Sequence, residues 1–546
     1  MKTSGQWLAG LIRKCSAMCV ALLLVGCISQ QDAPFRLRPG DVNVALQPGG
    51  TTKVKPPYSL EYLRDDTSPD YLVILSFSGG GKRSAAFGYG ALQAAHEIMM
   101  PTGKPLSAEI DVVSGVSGGS FTASAFALNR ENLFHEAENG RTNYMDFLES
   151  DLWSEIAGIY LLPWKWQWMF YSDVGTNDEM ELTYDHYLLK ENRFSALAQA
   201  GRPYLIVQAT DLDARQPFTF TQSDFDLICS DISDTYISRA VAASNGFPVL
   251  FSPIGIQMYS RPRADAPNTL VSNCPDLAWR AREYPRYSSK WIMAKQAESY
   301  DIPADAALRK PKARFYVHLA DGGLADNLSL RGPLALWRRI DAELGDADLT
   351  NCTMAPASAP GETPSPPSDS CDIVRNLRLR EIKHILVVSV DGQSEPDRSE
   401  QINLPIAGGI ARALGNVTNA VIDSSNLDTL PTARDATNNL ARSIARMKCE
   451  ADTHSVDACK DAAQIERYRP TATFSHVALG DWARVDPVTR NKIANTGTSL
   501  GLSAQQARDL IAAGHDQMLC DPDVQDFLKA TGGSAATPSS TCPVSP

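Results

Sequence analysis

A serine stands among glycines at Gly115-Val116-Ser117-Gly118-Gly119, in the pattern G-x-S-x-G. That spacing suits a sharp turn from strand to helix. Small neighbours let the crowded backbone lift the hydroxyl above a sheet edge, and the following helix adds partial positive charge from its free N–H groups. A serine so placed is a nucleophile for acyl transfer; a glycine-rich turn with an inert serine is the plainer alternative. A second cluster, Gly79-Gly80-Gly81-Lys82-Arg83, also lies between an apolar run and a helical pattern. Consecutive glycines let N–H groups converge on one anionic point, either a phosphate or the oxyanion formed when a serine attacks a carbonyl. The P-loop spacing G-x-x-x-x-G-K-[ST] is absent, and the serine turn nearby favours the oxyanion. A merely structural glycine turn remains the alternative. The third element is Asp321-Gly322-Gly323, an acid that can take the serine proton. Asp391-Gly392 is a second Asp-Gly pair in a similar setting, so Asp321 by itself is ambiguous.

These turns need a scaffold that brings them together. The run from Tyr71 to Phe77 is short, apolar and partly β-branched, as a buried parallel strand should be. Strand, tight turn and small-residue helix recur over 109–130, and further strands read at 203–211, 314–323 and 381–392. Helical patterns return at 405–445 and 503–516. Strands alternating with helices imply an α/β fold, a three-layer α/β/α sandwich with a mainly parallel sheet. Parallel strands deliver their carboxyl ends to one edge, where Asp321 can meet Ser117. The expected organisation is a leader over 1–26, an extended Pro- and Gly-rich tether over 27–69, one catalytic domain over 70–530, and a loose tail over 531–546. Insertions are expected at about 130–200, 255–313 and 346–372.

Together the three motifs resemble the patatin-like phospholipases, whose pattern is a glycine-rich oxyanion loop followed by Arg, then G-x-S-x-G, then D-G-G or D-G-A, in that order. Here these are Gly79–Arg83, Gly115–Gly119 and Asp321–Gly323. Supporting matches are 239-RAVAASNGFPVLFSP-253 and Asp326-Asn327; the similarity covers about 71–335, with a weaker echo at 496–514. Ser84 departs from the usual glycine, and Ser78 stands where plant members have Asp; both bear on the geometry of the oxyanion loop. The resemblance implies a Ser117–Asp321 dyad without histidine, in a patatin-like phospholipase A or lysophospholipase. It places the oxyanion hole at Gly79, Gly80, Gly81 and Arg83, with Arg83 steadying the loop or a phosphate. Neither cofactor nor metal is required, and the substrate is a phospholipid or lysophospholipid. Three alternatives stay open: acyl transfer to an acceptor other than water, a catalytically silent lipid-binding lipoprotein, and an α/β-hydrolase triad using His454, His476 or His515.

The chain has 546 residues, 43% hydrophobic and 21% charged, which describes a globular protein. Its net charge of -12 argues against a general affinity for nucleic acid, and no repeat suggests a solenoid. Lys2, Arg13 and Lys14 precede an apolar or small run from Cys15 to Gly26. That run is too short to cross a hydrocarbon core of roughly 30 Å. It ends Leu24-Val25-Gly26-Cys27 and resembles a bacterial lipoprotein signal, which implies acyl chains, palmitate among them, on Cys27. Two or more chains anchor durably. An ordinary secretory peptide is the alternative. Ile28 after the lipid site points to the outer membrane, facing the periplasm. Of 11 cysteines, Cys15 and Cys19 leave with the leader and Cys27 carries lipid. The even remainder can pair in an oxidising compartment, and a sequential scheme is expected: Cys229–Cys274, Cys352–Cys371, Cys449–Cys459 and Cys520–Cys542. Trp164, Trp166 and Trp168 suit a membrane interface, an acyl tunnel or plain core packing equally. Oligomeric state leaves no mark on the sequence.

Overall fold

The structure is a computed structural model. It describes residues 43–535 except 54, 56, 137–140, 162–174, 249, 260–273, 276, 278, 280–281, 301–315, 345–348, 351, 353–369, 394–409, 482–492, 494–495 and 498–499. Cys27, the leader, residues 28–42 of the expected tether and Trp164, Trp166 and Trp168 therefore lie outside the described residues. The rest of that segment is no extended tether: Leu46, Tyr58, Leu60 and Leu63 are buried against the domain, and the Tyr58 hydroxyl donates to the Leu205 carbonyl at 3.0 Å.

Ten strands form. They are β1 (Val44–Ala45), β2 (Tyr71–Phe77), β3 (Ile110–Val116), β4 (Tyr204–Asp211), β5 (Gln216–Thr219), β6 (Ser230–Asp231), β7 (Ile254–Gln257), β8 (Tyr316–Asp321), β9 (His384–Asp391) and β10 (Thr471–Ala478). β1 and β6 make a small antiparallel ribbon. The others form one sheet in the order β10-β9-β2-β3-β4-β8-β7, with β5 folded back on β4. Every residue of β2, β3 and β4 is buried. Both faces of the sheet centre are thus covered, so these strands show continuous apolar runs and no alternation.

The strands from β10 to β4 are parallel, but β8 runs antiparallel to β4 and β7 antiparallel to β8. This corrects the reason expected for the meeting of Ser117 and Asp321. Val116 is in register with Gln208 on β4, and the next β4 residue, Ala209, is in register with Asp321. Asp321 reaches the serine edge because β8 enters from beyond that edge and ends there. A parallel β8 would have needed a crossover on top of the sheet. The edge strand β10 was not legible beforehand: its residues are mostly half-exposed and mix Thr, Ser and His with apolar ones.

Helices used below are α1 (Gly81–Glu97), α2 (Gly118–Asn129), α3 (Asn143–Glu149), α4 (Thr176–Tyr184), α5 (Ile237–Ser244), α6 (Arg331–Leu344), α7 (Ile410–Thr453) and α8 (Ala504–Cys520). α1 and α8 cross with their backbones almost touching. A Cβ on Gly90 would lie 1.9 Å from the Ile511 carbonyl oxygen, and one on Gly514 would lie 1.9 Å from that of Phe87. The Gly514 end of the 496–514 echo is therefore a helix-packing surface that braces α1 and its glycine loop.

The disulfides Cys229–Cys274, Cys352–Cys371 and Cys449–Cys459 are present as expected, with Cα separations of 4.7, 5.3 and 5.9 Å. Cys520 is disulfide-bonded; Cys542, its expected partner, lies outside the described residues. No helix among the described residues is long and apolar enough to cross a membrane.

Candidate active site

Ser117 sits at the turn between β3 and α2 with φ 47° and ψ −125°, a conformation that costs a side-chain-bearing residue about 1–3 kcal/mol unless its surroundings enforce it. They do. Its N–H donates to Ser244 Oγ at 2.8 Å, and that hydroxyl donates onward to the Gln208 carbonyl. Its own carbonyl accepts from Ser120 Oγ at 2.6 Å and Asn245 Nδ2 at 3.0 Å. The glycines around it are required by close approach. A Cβ at Gly118 would lie 1.9 Å from the Gly81 carbonyl oxygen, one at Gly119 2.3 Å from that of Phe77, and one at Gly115 2.7 Å from that of Gly119. Ser117 itself stays half-buried.

The Ser117 hydroxyl donates to Asp321 Oδ2 at 3.0 Å, joining residues 204 positions apart. The other carboxylate oxygen, Oδ1, accepts from the Gly323 N–H at 2.8 Å. The Asp321 N–H bonds to the Gly246 carbonyl and the Gly322 N–H to that of Ser244, while Thr210 Oγ1 donates to the Asp321 carbonyl at 2.8 Å. Gly322 has no room for a side chain, since a Cβ would fall 2.3 Å from the Gln208 carbonyl oxygen. Burial raises the Asp321 carboxyl to about 6, against the opposing donors Gly323 N–H and Ser117 Oγ–H. A carboxylate at its ordinary value is a weak base toward an alcohol; this one is tuned toward neutrality.

The glycine loop packs on the same edge, where a Cβ on Gly79 would stand 3.4 Å from that of Ser117. Two expected oxyanion donors are committed elsewhere. The Gly79 N–H bonds to the Asn327 carbonyl at 2.9 Å. Arg83 donates from Nε to the Gly392 carbonyl at 2.7 Å and from Nη1 to that of Thr496 at 2.8 Å. Burial lowers the Arg83 guanidinium to about 10, with Asp391 opposing. Arg83 is thus a strut between loop and sheet. By contrast, the N–H groups of Gly80 and Gly81 have no acceptor among the described residues. Gly80, at φ 137°, turns the chain into α1.

Ser78 and Ser84, the two departures from the family pattern, brace this loop. Ser84 Oγ donates to the Ser78 carbonyl at 2.6 Å, and Ser78 Oγ accepts from the Gly392 N–H at 2.9 Å. The second Asp-Gly pair, Asp391-Gly392, therefore supports the loop and does not approach Ser117. Nothing in the spacing of the glycine motif marks Lys82 as buried, yet it is. Its ammonium donates to the Phe147 carbonyl and to Ser150 Oγ, each at 2.8 Å, tying the loop to α3. Burial lowers it to about 7. Asn327 bridges similarly: its carbonyl holds Gly79 and its Nδ2 donates to Gln393 Oε1 at 3.3 Å.

The three histidines of the triad alternative are engaged elsewhere. His476 Nε2 lies 3.9 Å from Asp391, His515 Nε2 3.1 Å from Glu97, and His454 Nδ1 2.7 Å from the Thr350 carbonyl. None has a hydrogen bond to Ser117 or Asp321 among the described residues.

The 239–253 block supplies the partners of the elbow. α5 ends in Ser244 and Asn245, which hold both faces of the Ser117 peptide. Arg239 anchors α5 to α4 through buried contacts with Asp178 and Glu181, the latter at 2.9 Å. Arg239→Ala leaves two buried carboxylates without their cation and is expected to destabilise the fold by about 3–5 kcal/mol. Chemical denaturation should show the shift in midpoint; an unchanged midpoint would mean that the carboxylates find other partners.

A mixed α/β sheet with a strained serine turn, a buried aspartate and a glycine loop on one edge is an arrangement chemically able to support acyl transfer. Residues 75–334 match the family model for "Patatin-like phospholipase", and the chain carries a patatin-like phospholipase domain over that span. No curated protein matches the chain. Among solved structures, human GIVD cytosolic phospholipase A2 in complex with methyl gamma-linolenyl fluorophosphonate is similar at 11% identity and TM-score 0.35. That match covers 85% of this chain and 59% of the other, so the chain spans about three fifths of that protein's length. VipD from Legionella pneumophila matches at 12% identity and TM-score 0.18, over 84% of this chain and 95% of that one. ExoU with SpcU, from the type III secretion system of Pseudomonas aeruginosa, matches at 13% identity and TM-score 0.15, over 92% and 99%.

Proposed function

We propose that the chain is a serine acyl hydrolase that cleaves phospholipids or lysophospholipids with a Ser117–Asp321 dyad. The observation that carries this reading is the 3.0 Å hydrogen bond from a strained, half-buried serine to a buried carboxylate. The family match over 75–334 supports a lipid substrate. In the first step Ser117 Oγ attacks the ester carbonyl carbon while its proton passes to Asp321 Oδ2. Negative charge develops on the carbonyl oxygen, where the N–H groups of Gly80 and Gly81 receive it. Collapse breaks the ester C–O bond, and the proton on Asp321 goes to the leaving alcohol. Water then attacks the acyl-serine with Asp321 again taking a proton, and returning it to Ser117 releases the fatty acid. The proposed setting is the periplasmic side of an outer membrane, with Cys27 carrying the anchor.

Incubation of the full chain with mixed phospholipid and lysophospholipid vesicles, followed by lipid mass spectrometry, tests the reading. Free fatty acid should rise in step with the matching deacylated product. Folded protein that leaves every acyl ester intact would remove the proposal; acyl chains appearing on another lipid with no free acid would replace hydrolysis by transfer.

A further inference from the structure

The helical layer formed by α6 and α7 does not seal against the sheet. A cavity of about 630 Å³ remains between them, within the size range of small-molecule sites, roughly 300–1,000 Å³. Its floor is Ile74 of β2 and Val387 of β9, which are direct partners in the sheet register. Its walls are apolar, with Pro333, Leu334, Ala436 and Leu440 prominent. Asp435 and Asn439 are exposed at its rim, so it opens to the surface. Neither Ser117 nor Asp321 lines it.

One charged group in this largely apolar wall lacks a partner. Trp337 is only 8% exposed, and its indole Nε1–H has no acceptor. That nitrogen is fully enclosed and does not open on the cavity, which Trp337 lines with the rest of its side chain. Its neighbour Arg338, half-buried, has no hydrogen-bond or ion-pair partner among the described residues. The other lining cation, Lys290, is already neutralised by Asp341 at 3.0 Å. Asp435 is exposed to water. A largely apolar cavity thus carries one unpaired guanidinium in its wall.

We infer that this cavity is a second lipid site, distinct from the Ser117 edge, which holds one single-chain lipid with an anionic head. The alkyl chain lies over Ile74 and Val387 and between Leu334 and Leu440. The head, a carboxylate or a phosphate monoester, accepts from Arg338, beside the Trp337 ring that lines the cavity. The inference stands apart from the hydrolase reading, because binding here needs no reaction at Ser117.

Calorimetric titration of the full chain with laurate and with lysophosphatidate, both below their critical micelle concentrations, tests it. One molecule should bind per chain, and the better of the two identifies carboxylate or phosphate as the head. Acetate and glycerol phosphate, which lack the chain, should not bind. Arg338→Gln should weaken binding about tenfold, and Ala436→Trp, which fills the slot, should abolish it. Bromine-labelled laurate should quench a component of the tryptophan emission that Trp337→Phe removes. Blocking Ser117 with an alkyl fluorophosphonate should leave all of this unchanged. Loss of binding on that treatment would assign the lipid to the Ser117 edge and overturn the inference. Affinity unaffected by both Arg338→Gln and Ala436→Trp would overturn it as well.

Discussion

Ser117→Ala is expected to lower fatty acid release by roughly 10⁴-fold or more, the scale on which removal of a nucleophile acts when the rest of the machinery cannot substitute. The geometry explains why no neighbour takes over. Ser120 Oγ is committed to the Ser117 carbonyl and Ser244 Oγ to that of Gln208. Nor should the fold suffer, because the hydrogen bonds that enforce the turn are made by the peptide groups of Ser117. The measurement pairs acyl-ester turnover with covalent labelling by a fluorophosphonate, and near-native thermal unfolding serves as the control. Activity within tenfold of wild type would show that the acyl group is carried elsewhere.

Asp321→Asn removes the proton acceptor while keeping its shape, and a loss of roughly 10³–10⁴-fold is expected. Wild-type kcat/KM should fall on the acid side as a single proton binds, with a midpoint near 6, because burial has raised this carboxyl to about that value. The sign for stability runs opposite to that for activity. A carboxyl with a higher pKa folded than unfolded binds its proton more tightly in the native state. Its stabilising share is therefore full below the unfolded value near 4 and is lost as pH rises through about 6. Holding Asp321 ionised at neutral pH costs the fold on the order of 2–3 kcal/mol by that linkage. The asparagine variant should thus be inactive yet more resistant to denaturant than wild type at pH 7.5, with little advantage at pH 4. A variant that loses activity and stability together at pH 7.5 would point to a structural role for Asp321.

The motifs carried much of the site. The elbow, the glycine loop and Asp-Gly-Gly are short-range patterns whose spacing is set by backbone crowding, and the distances around Gly118, Gly119 and Gly322 show that crowding directly. Lys82 and Arg83 were less readable. Both belong to the loop in sequence, but their roles follow from carbonyls at 147, 392 and 496 that no local pattern announces. The same limit applied to Gly79, whose N–H is taken by a residue 248 positions away. The pocket beneath α6 and α7 has no motif at all.

Taken alone, the amino-acid order determined the apolar strands and the glycine-rich turns that follow them, since periodicity and steric demand act over short stretches; it supplied an even set of cysteines, and the fold decided which of them meet. Tertiary structure decided which Asp-Gly pair faces the serine. Asp321 and Asp391 have the same local form, but β8 is antiparallel to β4 and stops in register beside Ser117, while β9 lies on the far side of β2. Strand order and direction depend on long-range pairing, and burial at that junction raises the Asp321 carboxyl toward neutrality. Neither quantity exists until the sheet has closed around it.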